Sequence, residues 1–369
     1  MSRFYYYLIL INMVANIIAS VPVILLHFHK EGAVSSMLLA VIAGTVLITV
    51  YTRFFNSFPG MTLPELLQKT FAPWFHLPVV FLLAVMWFIA GLITLISFTF
   101  LLIRYLSPEM PIIQIGLTII VPVIFGALMK TDRVLYTVEI ILLITFPLIL
   151  FIFYKAYTSE SLEWDFVKEA ALYVNQLPNL NVFSACFFLF LGVANLFIFN
   201  RFFTKKQIFG WKQIIIIAIV SVSTLFTTYF IPIGFNGFEN IDELIYPWIS
   251  TSDSLRMDFF IIERVLYVFL LFYLGIAFLS IIIHWHVCLE FLKFVFKLDN
   301  IKYKGKNIGK FFPIPFLMGI SLFFIRELNE NQLFRYTSLF YNSLIIAFPL
   351  MVTLFFFIKR RMKNAKQAN

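Results

Sequence analysis

The sequence predicts an all-α integral membrane protein with ten transmembrane helices in a five-plus-five inverted repeat, helices one and six being broken. Three observations carry this. First, 61% of the 369 residues are hydrophobic and 13% charged, with 48 Phe and a mean hydropathy of +0.93, more apolar surface than a water-soluble domain of this length needs. Second, the apolar runs match what a helix needs to cross a hydrocarbon core of about 30 Å. Third, Lys and Arg concentrate in alternate connectors.

Taken in order, the spans are 4–28, 33–52, 78–103, 111–129, 134–157, 182–203, 213–233, 257–285, 311–325 and 338–358. The first follows Arg3 and is too long for a signal-peptide core, so it stays as a helix. It carries Asn12, Asn16, Ser20 and Pro22 in "NMVANIIASVP". The third holds Gly91, Thr94 and Ser97 on roughly one face, and the sixth holds Gly192 and Asn195 in "FLFLGVANLFIF". The eighth opens with Glu263 and Arg264, placed about two turns inside its end. A basic tail, 359–369, follows the tenth.

With the N-terminus cytoplasmic, most of the 28 Lys and Arg fall inside, and the long outer connectors are acidic. An even number of spans then puts both termini in the cytoplasm. The chain reads as a single membrane domain, 1–369, with repeats at 1–157 and 180–358. Residues 161–180 have near-helical apolar spacing and predict a short amphipathic helix at the surface, while 235–253 ends in Pro247 and Trp248 near an interface. Together these connectors would form a lid or simply pack at the interface. The basic loop 293–310 suits membrane topology and anionic lipid headgroups better than nucleic acid.

In an inverted-repeat transporter fold the first helix of each half is interrupted near the midplane, where freed backbone groups bind the substrate. Pro22 withdraws a backbone donor from span one, and Gly192 weakens span six. The functional reading makes Asn16, Ser20, Thr94, Ser97, Gly192 and Asn195 a binding site for a small zwitterion, with Glu263 and Arg264 at a vestibule or gate. The plainer reading is that proline kinks and small residues permit close helix packing, that Arg264 snorkels and that Glu263 is interfacial. Glu139 reads as a helix-pairing or interfacial group, or a proton-handling one. His284, His286 and Glu290 do not share one helix face, so no metal site is expected. Cys186 and Cys288 sit in apolar segments as packing residues. No catalytic or phosphate-binding motif is present, and neither enzyme activity, a cofactor nor a nucleic-acid partner is expected.

"FPGMTLPELLQKTFAPW" (58–74), "YPWISTSDSLRMDFFIIERVLYVF" (246–269) and the ten-span layout resemble the spore-germination permease-like family, the B subunits of nutrient germinant receptors. That family is similar to the amino acid–polyamine–organocation transporters. The resemblance implies a subunit that binds a small nutrient, an amino acid for choice, in the spore inner membrane or the bacterial cell membrane. It also implies an A-type membrane subunit and a C-type lipoprotein as partners. One feature departs from the family: Ser20-Val21-Pro22 is present, but Ala15, Asn16 and Ile17 stand where relatives carry glycines. Two other readings stay open, a self-sufficient secondary amino acid transporter and a ligand-blind scaffold subunit.

Overall fold

The computed structural model describes residues 2–16, 20–255, 264–303 and 306–367. Its helices are α1 (Ser2–Asn16), α2 (Ser20–His27), α3 (Ala33–Phe55), α4 (Leu63–Thr70), α5 (Pro73–Tyr105), α6 (Ile112–Ala127), α7 (Thr131–Tyr157), α8 (Trp164–Leu172), α9 (Leu180–Phe188), α10 (Leu196–Phe199), α11 (Trp211–Asn236), α12 (Pro247–Ser254), α13 (Val265–Phe296), α14 (Pro313–Glu327) and α15 (Glu330–Gln367). The only sheet among the described residues is a two-residue ladder of Lys302–Tyr303 with Lys306–Asn307. In hydrocarbon every backbone donor and acceptor must be paired internally, and helices do this within one segment.

Eight helical stretches among the described residues are long and apolar enough to cross a membrane, and α1 with α2 makes a ninth if the bent pair is one span. α6 is equally apolar but shorter. Phe125, Ile144, Ile219 and Phe356 point outward and stay exposed, the belt that faces lipid. The chain is thus an integral membrane protein.

Successive spans alternate in direction. Residues near Arg3, Glu65, Arg201, Lys293 and Arg361 share one end, the basic face, where Arg3 pairs with Glu139 and Arg361 Nη1 donates to the Thr70 carbonyl at 2.6 Å. Lys30, Asn179, Glu239 and Glu330 share the opposite face, tied by Lys30–Glu239 and by Arg104–Glu330.

Several boundaries differ from those expected. α5 begins at Pro73 rather than 78, because Pro occupies its first helical position, where no N–H is needed. α15 runs from 330 rather than 338 and continues through the basic tail, which is helical to Gln367. α13 extends to Phe296, so His284 and His286 lie within it and not at its end. The acidic connector does form a short helix, α8, which packs on α11 with Glu163 N–H donating to the Gly234 carbonyl at 2.9 Å.

Candidate functional site at the interruption of span one

α1 stops at Asn16, α2 starts at Ser20, and their axes differ by 55°. Pro22 falls in the first turn of α2, where the ring is compatible with the helix. Residues 17–19, between the two helices, lie outside the described residues. Where a helix ends, its last carbonyls and first N–H groups lose intrahelical partners. Side chains from three other spans converge there. The Tyr273 hydroxyl (α13) donates to the Ala15 carbonyl at 3.4 Å, and Ser20 Oγ lies 3.4 Å from Ser97 Oγ on α5. Tyr341 (α15) places its buried hydroxyl beside Ser20. Asn16 Nδ2 turns back to the Asn12 carbonyl at 2.7 Å. Thr94, one turn from Ser97, spends its hydroxyl on the Ala90 carbonyl at 3.3 Å.

Span six is not bent. Leu180–Phe202 continues as one stretch, but its hydrogen bonding tightens to 3₁₀ over Leu189–Asn195. Asn12 of α1 reaches this transition: its Nδ2 donates to the Phe188 and Leu189 carbonyls, at 2.7 and 3.2 Å, where the helix changes type. Two glycines allow the surrounding helices to close on this segment. A Cβ on Gly192 would lie 2.5 Å from the Leu8 carbonyl oxygen, and one on Gly44 of α3 would lie 2.1 Å from the Phe190 ring. Gly192 therefore sits under the α1 backbone.

Asn195 accepts a hydrogen bond from Trp87 Nε1 at 2.9 Å. These two residues, with Asn12, Ala90 and His284, line a cavity of about 30 Å³, enough for a water but for little more. The site residues read from the sequence thus form two neighbouring groups: Asn16, Ser20, Thr94 and Ser97 at the break, and Asn195 at the cavity. The sequence did not indicate Trp87, Tyr273 or Tyr341, which are aromatic residues inside apolar runs and acquire meaning only through packing. Asn12 was visible as an oddity in span one without a role.

Glu263 lies outside the described residues. Arg264 caps α13 and does not sit two turns within it. Its side chain is 57% exposed and 3.7 Å from Asp253. The two flanking residues of α13 that drew a metal reading have separate partners. His284 Nδ1 donates to the Ser280 carbonyl at 2.7 Å, whereas His286 bonds the Ala127 carbonyl and Thr131 Oγ1.

The Phe58-Pro59-Gly60 turn acts as a clamp on span six. Gly60 takes a φ of 76° that favours glycine, and its N–H donates to the Phe203 carbonyl. Asn200 Nδ2 donates to the Phe58 and Met61 carbonyls at 2.9 and 2.8 Å. The turn leads into α4, whose Thr62 and Glu65 cap each other reciprocally while Glu65 pairs with Arg201. Burial disfavours the Glu65 carboxylate, but the Thr62 N–H and hydroxyl together with Arg201 outweigh it, and the pKa falls below the usual carboxylate range. A group with a lowered folded pKa stabilises above its unfolded value, near 4.3 for Glu, and loses that contribution as the pH falls through the folded value. Docking of α4 is therefore expected to weaken below about pH 4. Glu65→Ala should reproduce that weakening at neutral pH, at a cost of about 1 kcal/mol. The check is amide hydrogen-exchange protection over Leu63–Thr70, taken relative to the unfolded-chain rate at each pH, which should fall in both cases.

Residues 4–333 match the spore permease family, described as spore germination protein. The chain belongs to this spore germination permease family. A search of curated proteins gave no match. In this spore permease, the stretches that carried the resemblance occupy defined places: 58–74 forms the clamp and α4, and 246–255 forms the helix that buries Trp248. Trp248 Nε1 donates to the Thr228 carbonyl at 3.2 Å, and the indole stacks on Phe269 of α13.

Proposed function

We propose that this germination-related membrane protein is the integral-membrane subunit of a nutrient germinant receptor, working with an A-type membrane subunit and a C-type lipoprotein. Ten spans in two inverted five-helix repeats, 1–157 and 180–358, would place the basic face in the cytoplasm, in line with the positive-inside rule. A small nutrient, an amino acid for choice, would bind where span one is interrupted. The observation that carries this reading is the convergence of Ser20, Ser97, Tyr273 and Tyr341 beside the 55° bend between α1 and α2. Buried hydroxyls and unpaired helix ends can take an ammonium and a carboxylate.

The neighbouring cavity beside Asn195, about 30 Å³, is too small for such a ligand, so a ligand that also engages Asn195 must select a more open arrangement. A ligand shifts that equilibrium only by its differential affinity for the two states. The small cavity and the covered Gly192 also suit a ligand-blind scaffold, which assembles the complex without binding nutrient.

Ser97→Ala separates these readings, because the substitution removes one hydroxyl without a steric change. For a receptor, the nutrient concentration giving half-maximal dipicolinate release should rise about three- to tenfold, the worth of one hydrogen bond, at unchanged protein level. An unchanged dose response favours the scaffold. Uptake of labelled amino acid by proteoliposomes holding this chain alone would instead establish a transporter.

A further inference from the structure

We infer that the groove between α5, α13, α14 and α15 is a binding site for an anionic phospholipid, with its acyl chains in the groove and its headgroup on Lys297, Lys302 and Lys310. This inference rests on the membrane-spanning reading and not on the nutrient site. The groove measures about 1150 Å³, above the range of ordinary small-molecule pockets, about 300–1,000 Å³. Its walls are almost wholly apolar, including Phe88, Ile93 and Leu292 on one side and Phe316, Ile320 and Leu339 on the other. It exists because α14 packs away from the bundle centre, against α6, where Ile325 meets Gly116, and against α5.

Its ends differ in charge. At the basic face the lining consists of Phe296, Leu298, Ile301 and Phe312, and Lys297, Lys302 and Lys310 lie within two residues of these in the chain. Lys297 and Lys302 are exposed, and Lys310 lies over the Phe311 ring. Asp299 lies equally near these lysines in the chain, which leaves that end positive. At the other end Glu327 lines the groove, and Arg326, Glu330 and Arg335 lie as near in the chain, so the charges there balance. Phosphate therefore suits the lysine end.

The cationic rim favours a lipid over a partner's helix. Apolar walls follow α5 from Phe81 to Ile96, about 22 Å, and end near lysines that an anionic headgroup would meet, whereas an apolar helix laid in the groove would offer them no counter-charge.

The test uses the full-length chain, delipidated in detergent and returned to phosphatidylglycerol or phosphatidylcholine. Thermal stability and native mass spectrometry are then recorded. Phosphatidylglycerol should raise the melting temperature and remain as a discrete adduct, and phosphatidylcholine should do neither. The triple change K297Q/K302Q/K310Q should weaken phosphatidylglycerol binding about tenfold or more, since each lysine near an anionic headgroup contributes about 1 kcal/mol. Leu339→Trp, at a position 57% exposed into the groove, should remove the adduct without lowering the melting temperature of the lipid-free protein. Equal responses to both lipids, or an adduct that survives both variants, would overturn the site. So would a photoreactive residue at position 339 that captures a protein partner in spore membranes instead of lipid.

Discussion

Gly192→Val is expected to force α1 away from span six and to abolish the folded bundle's normal stability. An added Cβ lies 2.5 Å from the Leu8 carbonyl oxygen and 3.0 Å from that of Ile9. Both are backbone atoms, so no side-chain rotation can relieve the clash. The helix itself must shift, and it holds the Asn12 hydrogen bonds to Phe188 and Leu189. Overpacking of this kind costs about 1–3 kcal/mol, with the lost hydrogen bonds adding to it. The melting temperature in detergent should drop sharply, with Gly192→Ala intermediate. A valine variant as stable as the parent would show that α1 does not lie against Gly192. Loss of germination in this variant reports packing, which makes Ser97→Ala the better probe of ligand contact.

Asn12→Leu should have the second-largest effect. The two side chains have similar volume, so the change isolates the hydrogen bonds. It takes the second donor from the Phe188 and Leu189 carbonyls, whose 3₁₀ bonds within the segment remain, at about 0.5–1.5 kcal/mol for each hydrogen bond lost. The 3₁₀ stretch 189–195 should then revert toward ordinary α-helix or open. Amide hydrogen exchange over those residues should rise while exchange in α5 and α13 stays unchanged. If exchange in 189–195 does not change, some group other than Asn12 fixes that segment.

Much of the architecture was legible because hydropathy reports directly on the solvent. Apolar runs gave the spans, and the acidic connector's periodicity gave α8. Boundaries slipped where the reason was local: Pro73 starts a helix instead of ending one, and the charges of the tail do not stop α15 once it has formed. The site was legible only in part. Asn16, Ser20 and Pro22 were visible because polar and cyclic residues are expensive in an apolar helix, and Ser97 because it follows Thr94 on one face. Tyr273, Tyr341 and Trp87 were not, since an aromatic residue in an apolar run reads as core until a neighbouring span brings a polar atom to its hydroxyl or N–H. In span six, where a break was also expected, the α-helix gives way to 3₁₀ at Leu189–Asn195 without a bend, and the Asn12 side chain that meets this change comes from a different helix.

The 38 residues of α15 make it a rod of about 57 Å, nearly twice the hydrocarbon thickness. Tyr341 sits on it beside Ser20, and about 30 Å further on Arg361 grips the Thr70 carbonyl and stacks on Phe71. The rod is a lever arm. A tilt of about 5° at Tyr341 would carry Arg361 through about 2.5 Å at this length, enough to break its hold on the end of α4. Pro349 lies between the two points and supplies a flexure, because its ring removes one hydrogen bond from the shaft. The stiffness of that single turn sets how much of a displacement beside the interrupted helix reaches the opposite end of the molecule.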